Sequence, residues 1–226
     1  MTYLNPHPGP GSARRRRLAR AALGWTVILI IAHLLDRWAF QQAYVADAAA
    51  RSVIESKDWY RFLRIMGYLP TWLILGIALL LAGRGGNERA TPGTLGRRES
   101  PETMGILIPV AAGLSGLLAE LLKIIVRRGR PIDYDGDYGW IAFSDGFVQT
   151  SRLGMASSHA AVAFGAAFTV MRVHPRSGWV LVPLAAGCGY TRMLSGQHFL
   201  SDIVGAAAIG WLVAWILTPA TGTRSR

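Results

Sequence analysis

Apolar stretches bounded by arginine or other polar residues constrain this chain more than any other feature of its sequence. The longest of them are 18–40 and 104–126, and about 20 apolar residues are enough for a helix to cross a bilayer. Shorter apolar stretches occupy 68–82, 157–171, 179–191 and 200–217. Because backbone polar groups find no water in lipid, such segments must satisfy their hydrogen bonds internally, as helices do. The sequence therefore predicts an all-α fold, a polytopic membrane helix bundle of about six transmembrane helices.

The composition agrees with a chain embedded in lipid. Hydrophobic residues make up 51% of the 226 residues and charged residues 16%, whereas roughly 25% of the residues in a soluble domain are charged. The net charge of +11 comes almost entirely from arginine, because Lys57 and Lys123 are the only lysines. The arginines lie between the apolar stretches rather than along one face, which argues against nucleic-acid binding. We therefore expect the lipid bilayer, and no nucleic acid, as a partner.

The chain is predicted to form a basic disordered tail, residues 1–17, followed by a single membrane domain, residues 18–226. The run Arg14 to Arg17 ends the tail directly before the first apolar stretch. Residues 41–64 mix aromatic and charged side chains, which predicts an amphipathic helix on the membrane surface between the first two spans. An alternative is that the first apolar stretch is a cleaved signal peptide, because Ala46-Asp47-Ala48 resembles a cleavage site.

The distribution of basic residues predicts the orientation of the bundle. Once Lys123, Arg130 and Arg192 are set aside as functional residues, the remaining basic residues favour a cytoplasmic location for both termini. We therefore predict a multi-pass protein of the cell (inner) membrane whose functional residues face the outer, periplasmic side. The sequence leaves the oligomeric state open.

Nearly all the unusual polar residues of the apolar region lie at one end of the last four spans. Because successive spans run in opposite directions, these ends meet at the same membrane face. The set comprises three cations, two histidines, two serines and one carboxylate, groups that bind and stabilise a phosphoryl group in transfer. Its members are Lys123, Arg130, Ser157, Ser158, His159, Arg192, His198 and Asp202.

Three short motifs in this region resemble the signature of the type-2 phosphatidic acid phosphatase and haloperoxidase superfamily. The chain reads Lys123-x6-Arg130-Pro131, then Ala156-Ser157-Ser158-His159, then Thr191-Arg192-x5-His198-x3-Asp202. The family pattern has proline where this chain has Ala156, glycine at Ser158 and serine at Thr191. The resemblance covers about residues 104–217, and it implies that this region is the catalytic core of a protein from the membrane branch of the family.

The resemblance implies a role for the most polar of these residues. His198 is the expected nucleophile, which forms a phosphohistidine that water then hydrolyses. His159 is expected to protonate the leaving oxygen and then to activate water. Arg130 and Arg192 are expected to bind phosphate oxygens through the guanidinium fork, with Lys123 acting as a point charge.

Three further residues of the set have supporting roles. Asp202 lies four residues after His198, one helical turn, and can therefore fix the tautomer of the imidazole. Ser157 and Ser158 lie where a helix begins, so their backbone N–H groups can favour an anion. This set of groups requires no metal ion and no cofactor.

Other charged residues are interpreted from their positions. Glu120 precedes Lys123 by one turn of the third span, and we expect it to be the charge partner that positions Lys123. A proton relay is the alternative for this carboxylate. Arg127, Arg128 and Arg152 are predicted to attract an anionic headgroup, or lipid phosphates in general.

Three features receive a structural interpretation. His33 lies in the first span and is predicted to be a packing histidine. Gly205 and Gly210 in the last span predict the close approach of another helix. Cys188 is the only cysteine, which excludes a disulfide within the chain.

The sequence thus predicts an integral-membrane lipid phosphatase that acts on a lipid phosphate or diphosphate at the outer membrane face. The expected substrates are of the prenyl diphosphate type (such as undecaprenyl diphosphate), the phosphatidic acid type, the phosphatidylglycerophosphate type or the lipid A type. A vanadate-dependent haloperoxidase is an alternative, although the apolar spans argue against it. A second alternative is a non-catalytic protein that binds lipid phosphate, which only Ala156 and Ser158 favour.

Overall fold

The computed structural model describes residues 10–86, 100–146 and 149–218, and within these ranges the regular structure is helical. The described helices are α1 Pro10–Leu34, α2 Asp36–Ala43, α3 Ala48–Ser56, α4 Asp58–Ile65, α5 Leu69–Gly86, α6 Pro101–Val126, α7 Ser158–Val173, α8 Pro175–Leu194 and α9 Leu200–Leu217. Two short 3-10 turns, Pro131–Tyr134 and Phe143–Asp145, lie between α6 and α7. The predicted all-α class is confirmed.

The N-terminal helix differs from the prediction in its extent. α1 begins at Pro10, so the run Arg14–Arg17 is helical and continuous with the first apolar stretch, whereas a disordered tail was expected there. Residues 1–9 lie outside the described part of the chain. α1 ends at Leu34, and α2 begins at Asp36 after the single residue Leu35.

The predicted surface helix over 41–64 is divided into shorter elements. Its first residues belong to α2, and α3 begins after Asp47, whose carboxylate accepts hydrogen bonds from the N–H groups of Ala49 and Ala50 at 3.1 and 3.2 Å. Lys57 then interrupts the helix with an extended backbone conformation, and α4 follows. An aspartate at the N-cap is the expected reason for a new helix start.

Six spans are not confirmed. Among the described residues, three helices are long and apolar enough to cross a membrane alone: α1 from Arg14, α6 and α9. The pair α4 and α5 makes a fourth when it is taken as one span bent by 67°. α7 is apolar, but its 16 residues fall short of the roughly 20 that a crossing needs.

The outer surface of the bundle carries large apolar side chains. They are at least 55% exposed at the following positions of α1, α5 and α6: Leu23, Ile30, Leu34, Ile74, Ile77, Leu81, Ile106, Leu117 and Ile125. Soluble monomers rarely expose contiguous apolar patches of this extent, whereas acyl chains solvate such a surface. The protein is therefore a multi-pass membrane protein.

The core of the bundle is built on the small residues of α7. This helix reads SHAAVAFGAAFTVMRV, and its alanines are fully buried against α6, α8 and α9. In lipid, small residues favour helix association because they let backbones approach closely. A Cβ atom added at Gly210 of α9 would lie 2.7 Å from the backbone N of Gly165 on α7, whereas one at Gly205 would have its nearest neighbour at 3.8 Å. The predicted close approach therefore holds at Gly210 and not at Gly205.

The polar ends of α6, α7 and α9 meet at one end of the bundle. α6 stops at Val126 because Arg127 takes a left-handed conformation with φ of 55°, and the N–H of Arg127 donates to the carbonyl of Lys123 at 2.8 Å. The start of α7 lies beside this end, since Lys123 Nζ is 3.1 Å from Ser158 Oγ. The start of α9 is joined to it by the N–H of Ser157, which donates to the carbonyl of Asp202 at 3.3 Å.

Replacement of Gly210 by alanine tests this packing. Overpacking typically costs about 1–3 kcal/mol, which exceeds the roughly 1 kcal/mol that alanine adds to a helix relative to glycine. We expect Gly210→Ala to lower Tm in detergent by several degrees. Gly205→Ala is the matched control in the same helix, and it should leave Tm unchanged or raise it. An unchanged Tm for Gly210→Ala would contradict the close contact with α7.

Candidate functional site

Lys123 lies buried between a carboxylate and a hydroxyl. Its ammonium group is 2.7 Å from Glu120 Oε1 and 3.1 Å from Ser158 Oγ. The Lys123 side chain is 5% exposed and that of Glu120 37% exposed, so the carboxylate reaches solvent while the ammonium group does not. Glu120 therefore stands where a charge partner of Lys123 was predicted, and the hydroxyl of Ser158 fixes the same ammonium group from α7.

The first turn of α7 offers two unused backbone donors. Ser157 is the N-cap, and its Oγ accepts the N–H of Ala160 at 3.4 Å. Its own N–H donates to Asp202, so this group is occupied and does not serve as the predicted anion donor. The N–H groups of Ser158 and His159 have no acceptor within the part of the chain that the structure describes. Such free N–H groups at a helix start favour a bound anion.

The imidazole of His198 is oriented through Nδ1. This nitrogen lies 2.8 Å from the carbonyl oxygen of Gly154 and 3.6 Å from Asp202 Oδ2. A carbonyl can only accept a hydrogen bond, so Nδ1 carries the proton and Nε2 keeps its lone pair. The nearer acceptor is thus Gly154, a residue that the sequence did not indicate, while Asp202 adds a negative charge on the same side of the ring.

Burial keeps His198 neutral. The residue is 3% exposed, and this desolvation lowers the pKa of its imidazole to about 4, against the opposing effect of the Asp202 carboxylate. Arg192 and Lys123 act in the same direction as burial, because both are positive and close. A neutral imidazole with a free Nε2 is the form that acts as a nucleophile.

Asp202 is fully buried and bonded on both oxygens. Its Oδ2 accepts the N–H of Phe199 at 2.8 Å, and its Oδ1 accepts a hydrogen bond from Arg128 Nη2. Arg128 is itself 2% exposed. The prediction that Arg128 attracts lipid headgroups is therefore wrong, because its guanidinium is committed to an internal ion pair.

The neighbouring arginines behave differently from each other. Arg127 is 4% exposed and donates to the carbonyls of Ile141 and Ala142 at 2.8 and 2.7 Å, so it shapes the connection to α7 and does not face lipid. Arg152 remains exposed, as a residue that meets headgroups would.

Four arginines at this end of the bundle have unpaired buried nitrogens. The Nε atoms of Arg64, Arg128, Arg130 and Arg192 are buried without a hydrogen-bond partner among the described residues, but the Nη atoms of Arg128 are bonded to carboxylates. Arg192 is 8% exposed, and its side chain forms no hydrogen bond or ion pair with any described residue, whereas the Arg130 side chain donates to Gln197 Oε1. Arg64 and Arg130 act electrostatically on Arg192. Buried like charges without carboxylates between them are costly, and a bound anion removes that cost.

His159 packs against the turn that joins α4 to α5. Its ring makes an edge-to-face contact with Tyr68, with centroids 5.4 Å apart. A Cβ atom at Gly67 would lie 2.9 Å from His159 Cβ and from its carbonyl oxygen, so glycine permits this turn to pack against the histidine. His159 and His198 interact electrostatically, which places the two predicted catalytic histidines in one site.

Three residues of this site were missed at the level of sequence: Arg64, Asp36 and Gly154. Arg64 is one of several basic residues in the amphipathic segment 41–64, so the sequence alone did not single it out as a site residue. Asp36 lies at the end of the first apolar stretch, and its carboxylate is fully buried. An aspartate near the end of the apolar stretch 18–40 was the available signal, since an ionisable residue within a predicted span invites a functional explanation.

The described residues contain no group of three or more His, Cys, Asp or Glu side chains that could hold a metal ion. What they assemble is a set of cations and helix N–H donors beside two histidines. This arrangement can bind a phosphate, stabilise the charge on its equatorial oxygens and bring an imidazole nitrogen to phosphorus.

Known proteins with similar sequences share this region. The model of the PAP2 superfamily matches residues 105–226. A lipid A 1-phosphatase of Rhizobium johnstonii is 32% identical over 148 residues, which cover 64% of this chain and 58% of that protein. A lipid A 1-phosphatase of Rhizobium etli is 31% identical over 143 residues, 62% of this chain and 60% of that protein. The chain thus spans less than two thirds of the length of these relatives.

One solved structure has a similar fold. It is described as the crystal structure of the first transmembrane PAP2 type phosphatidylglycerolphosphate phosphatase from Bacillus subtilis, with a TM-score of 0.54 and 17% identity. The similarity covers 86% of this chain and 92% of that chain, so it extends beyond residues 105–226 into the N-terminal helices. At this identity the likeness concerns the fold alone.

The neutral state of His198 predicts a dependence of stability on pH. Its pKa is about 4 in the folded protein and about 6.5 in an unfolded chain. Between these values the unfolded state binds more protons, so the free energy of unfolding falls as the pH is lowered from 7 to 5, by on the order of 1–2 kcal/mol. Tm measured in detergent should therefore fall less for His198→Asn than for wild type over this range.

The control for this measurement is His174→Asn at the opposite end of the bundle. His174 is only half-buried, and its replacement should leave the wild-type dependence of Tm on pH. Equal slopes for wild type and His198→Asn would contradict a neutral, buried His198.

Proposed function

Because the chain belongs to the PAP2 superfamily, we propose that it is an integral-membrane lipid phosphatase that transfers the phosphoryl group to His198. The observation that carries this proposal is the positive charge of Arg64, Arg130 and Arg192, whose buried Nε atoms have no hydrogen-bond partner among the described residues. A phosphate group supplies the missing acceptors, and charge-assisted hydrogen bonds to it are stronger than neutral ones.

The first chemical step uses the orientation of His198. Its Nε2 lone pair attacks phosphorus while the P–O bond to the lipid breaks, so a P–N bond replaces a P–O bond. His159 enters this step protonated, a form that the negative charge of the bound phosphate favours, and donates its proton to the departing lipid oxygen. The proton on His198 Nδ1 keeps its hydrogen bond to the carbonyl oxygen of Gly154. The phosphorylated imidazole acquires a positive charge, which the carboxylate of Asp202 on the same side of the ring stabilises.

The second step releases phosphate. His159, now neutral, accepts a proton from water as the water oxygen attacks phosphorus, and the P–N bond breaks to return His198 to its neutral form. Lys123, Arg130 and Arg192, with the free N–H groups of Ser158 and His159, stabilise the equatorial oxygens in both steps. The proposed reaction needs no metal ion.

The relatives suggest where to look for the substrate. The two Rhizobium proteins are described as lipid A 1-phosphatases, so the 1-phosphate of a lipid A type molecule is the first substrate that we propose for this chain. Phosphatidylglycerophosphate, phosphatidic acid and undecaprenyl diphosphate present the same terminal phosphate, and they form the comparison panel.

Phosphate release by wild type and His198→Ala tests the proposed nucleophile. With the panel of lipids in detergent and no divalent metal, we expect wild type to release phosphate from at least one lipid. His198→Ala should lose at least about a thousandfold in kcat, because loss of a covalent nucleophile removes the reaction path. His174→Ala, a histidine at the other end of the bundle, should keep wild-type activity.

The outcomes separate the alternatives. Equal release by wild type and His198→Ala would overturn the nucleophile assignment, and no release from any lipid would overturn the phosphatase proposal. Release of phosphate only after addition of a divalent metal would overturn the metal-independent reaction.

We also propose that the site faces the outer side of the membrane, with both termini in the cytoplasm. Cys188 is buried and is the only cysteine, so wild type serves as the unlabelled control. Ser144→Cys, at an exposed position near the site, should react with an impermeant thiol reagent in intact cells. Arg176→Cys, exposed at the opposite end, should react only after permeabilisation. The reverse pattern would invert the topology.

A further inference from the structure

The start of α9 lacks a capping residue of its own. Its N-cap is Phe199, and no side-chain oxygen of that residue can accept the N–H groups of the first turn. Helices whose first N–H groups are buried need an acceptor from elsewhere. The required acceptor comes from α2, because Asp36 Oδ1 accepts the N–H of Ser201 at 2.7 Å.

Asp36 is bonded in several directions at once. Its Oδ2 accepts the hydroxyl of Ser201 at 2.5 Å and that of Tyr138 at 3.2 Å. Burial raises the pKa of Tyr138 to about 12, so its hydroxyl remains a donor. Arg128 Nη1 lies 3.5 Å from the same oxygen. Asp36 is 0% exposed, and a buried carboxylate requires this degree of pairing.

The same arginine joins Asp36 to the predicted catalytic aspartate. Arg128 Nη2 donates to Asp202 Oδ1 and, at 2.9 Å, to Ser201 Oγ. The ring centroids of Phe199 and Tyr138 lie 5.0 and 5.5 Å from its guanidinium carbon, so two aromatic side chains also contact this cation. One cation therefore serves two carboxylates, and the position of each depends on the other.

Loss of the Asp36 charge would be transmitted along this chain of contacts. The N–H of Ser201 would face a weaker acceptor, and Arg128 would lose one of the two carboxylates between which it is held. Asp202, one residue after Ser201, would then be held less firmly against His198. Because Arg128 is also bonded through its backbone carbonyl to the N–H of Gly154 at 2.7 Å, both acceptors near His198 Nδ1 depend on this residue.

We propose that Asp36, from the first membrane helix region, is a positioning residue for the phosphatase site and acts through Arg128 and Ser201 on Asp202 and His198. This inference rests on the proposed function for its kinetic consequences. It assigns a role to a residue outside 105–226, the segment that matches the family. The N-terminal helices thus complete the site as well as anchor the chain.

The kinetic test uses Asp36→Asn, which keeps the shape of the side chain and removes its charge. We expect kcat to fall about 10- to 100-fold, the size found for outer partners of metal-bound histidines, with KM changed less than about threefold. KM should hold because Lys123, Arg130 and Arg192 are untouched. Asp47→Asn is the matched control, since Asp47 also caps a helix but lies outside this network, and it should keep wild-type kcat.

A double-mutant cycle separates positioning from a general structural effect. In an Asp202→Asn background, Asp36→Asn should lower kcat less than about threefold further, because its effect passes through Asp202. An undiminished 10- to 100-fold loss in that background would overturn the proposal. Gly210→Ala, which loosens the bundle by packing alone, should lower Tm without this loss of kcat.

A spectroscopic measurement keeps the test independent of activity. In protein labelled with 15N-histidine, the His198 resonances are identified by their loss in His198→Ala. Asp36→Asn should shift them, while Asp47→Asn should not. Unchanged His198 resonances in Asp36→Asn would overturn the proposal even if wild type hydrolyses none of the lipids, an outcome that would contradict only the proposed function.

Discussion

The concentration of positive charge at one end of a lipid-embedded bundle is the constraint on which the rest of the site depends. Lys123, Arg128 and Arg192 are all less than 9% exposed, and burial of an ionised group is expensive unless a partner compensates it. Lys123 has Glu120 and Arg128 has Asp202, but Arg192 has no partner among the described residues. The unpaired buried charge raises the free energy of the empty site, and binding of a phosphate would lower it.

The way each helix ends determines which charges are compensated. α6 stops in a left-handed residue, so the chain turns back and places Arg128 beneath the start of α9. α7 is capped by Ser157, which leaves the N–H groups of the next two residues free for an anion. The carboxylates of Asp36 and Asp202 are thus bonded to Arg128 and the start of α9, while the Arg192 side chain and the first N–H groups of α7 keep unpaired donors. Asp202 can therefore lie beside His198 without pairing with the proposed phosphate-binding groups.

Much of the site could be predicted from sequence because its residues occur in short motifs at helix ends. The bounds of α6, α7 and α9 differ from the predicted spans by at most three residues, since apolar runs are interrupted sharply by polar ones. The prediction failed where contacts join distant segments. The bond between Asp36 and Ser201 spans 165 residues, and the Gly154 carbonyl that orients His198 carries no side-chain signal. The six predicted spans are not confirmed for a different reason, since α7 is apolar yet short and α5 qualifies as a span only together with α4.

The contacts of Asp36 also bear on why the family match begins only at 105 while the structural similarity covers 86% of the chain. The motifs carry the cations and histidines, which the chemistry holds to particular residue types. The proposed role of Asp36 needs a negative charge within reach of Arg128 and of the Ser201 N–H, so another carboxylate at the same point in space would serve as well. The N-terminal helices thus contribute to the proposed site through one carboxylate, although they lie outside the segment that matches the family. For this chain, the consequence is that residues 105–226 alone would leave the N–H of Ser201 and one side of Arg128 without their acceptor.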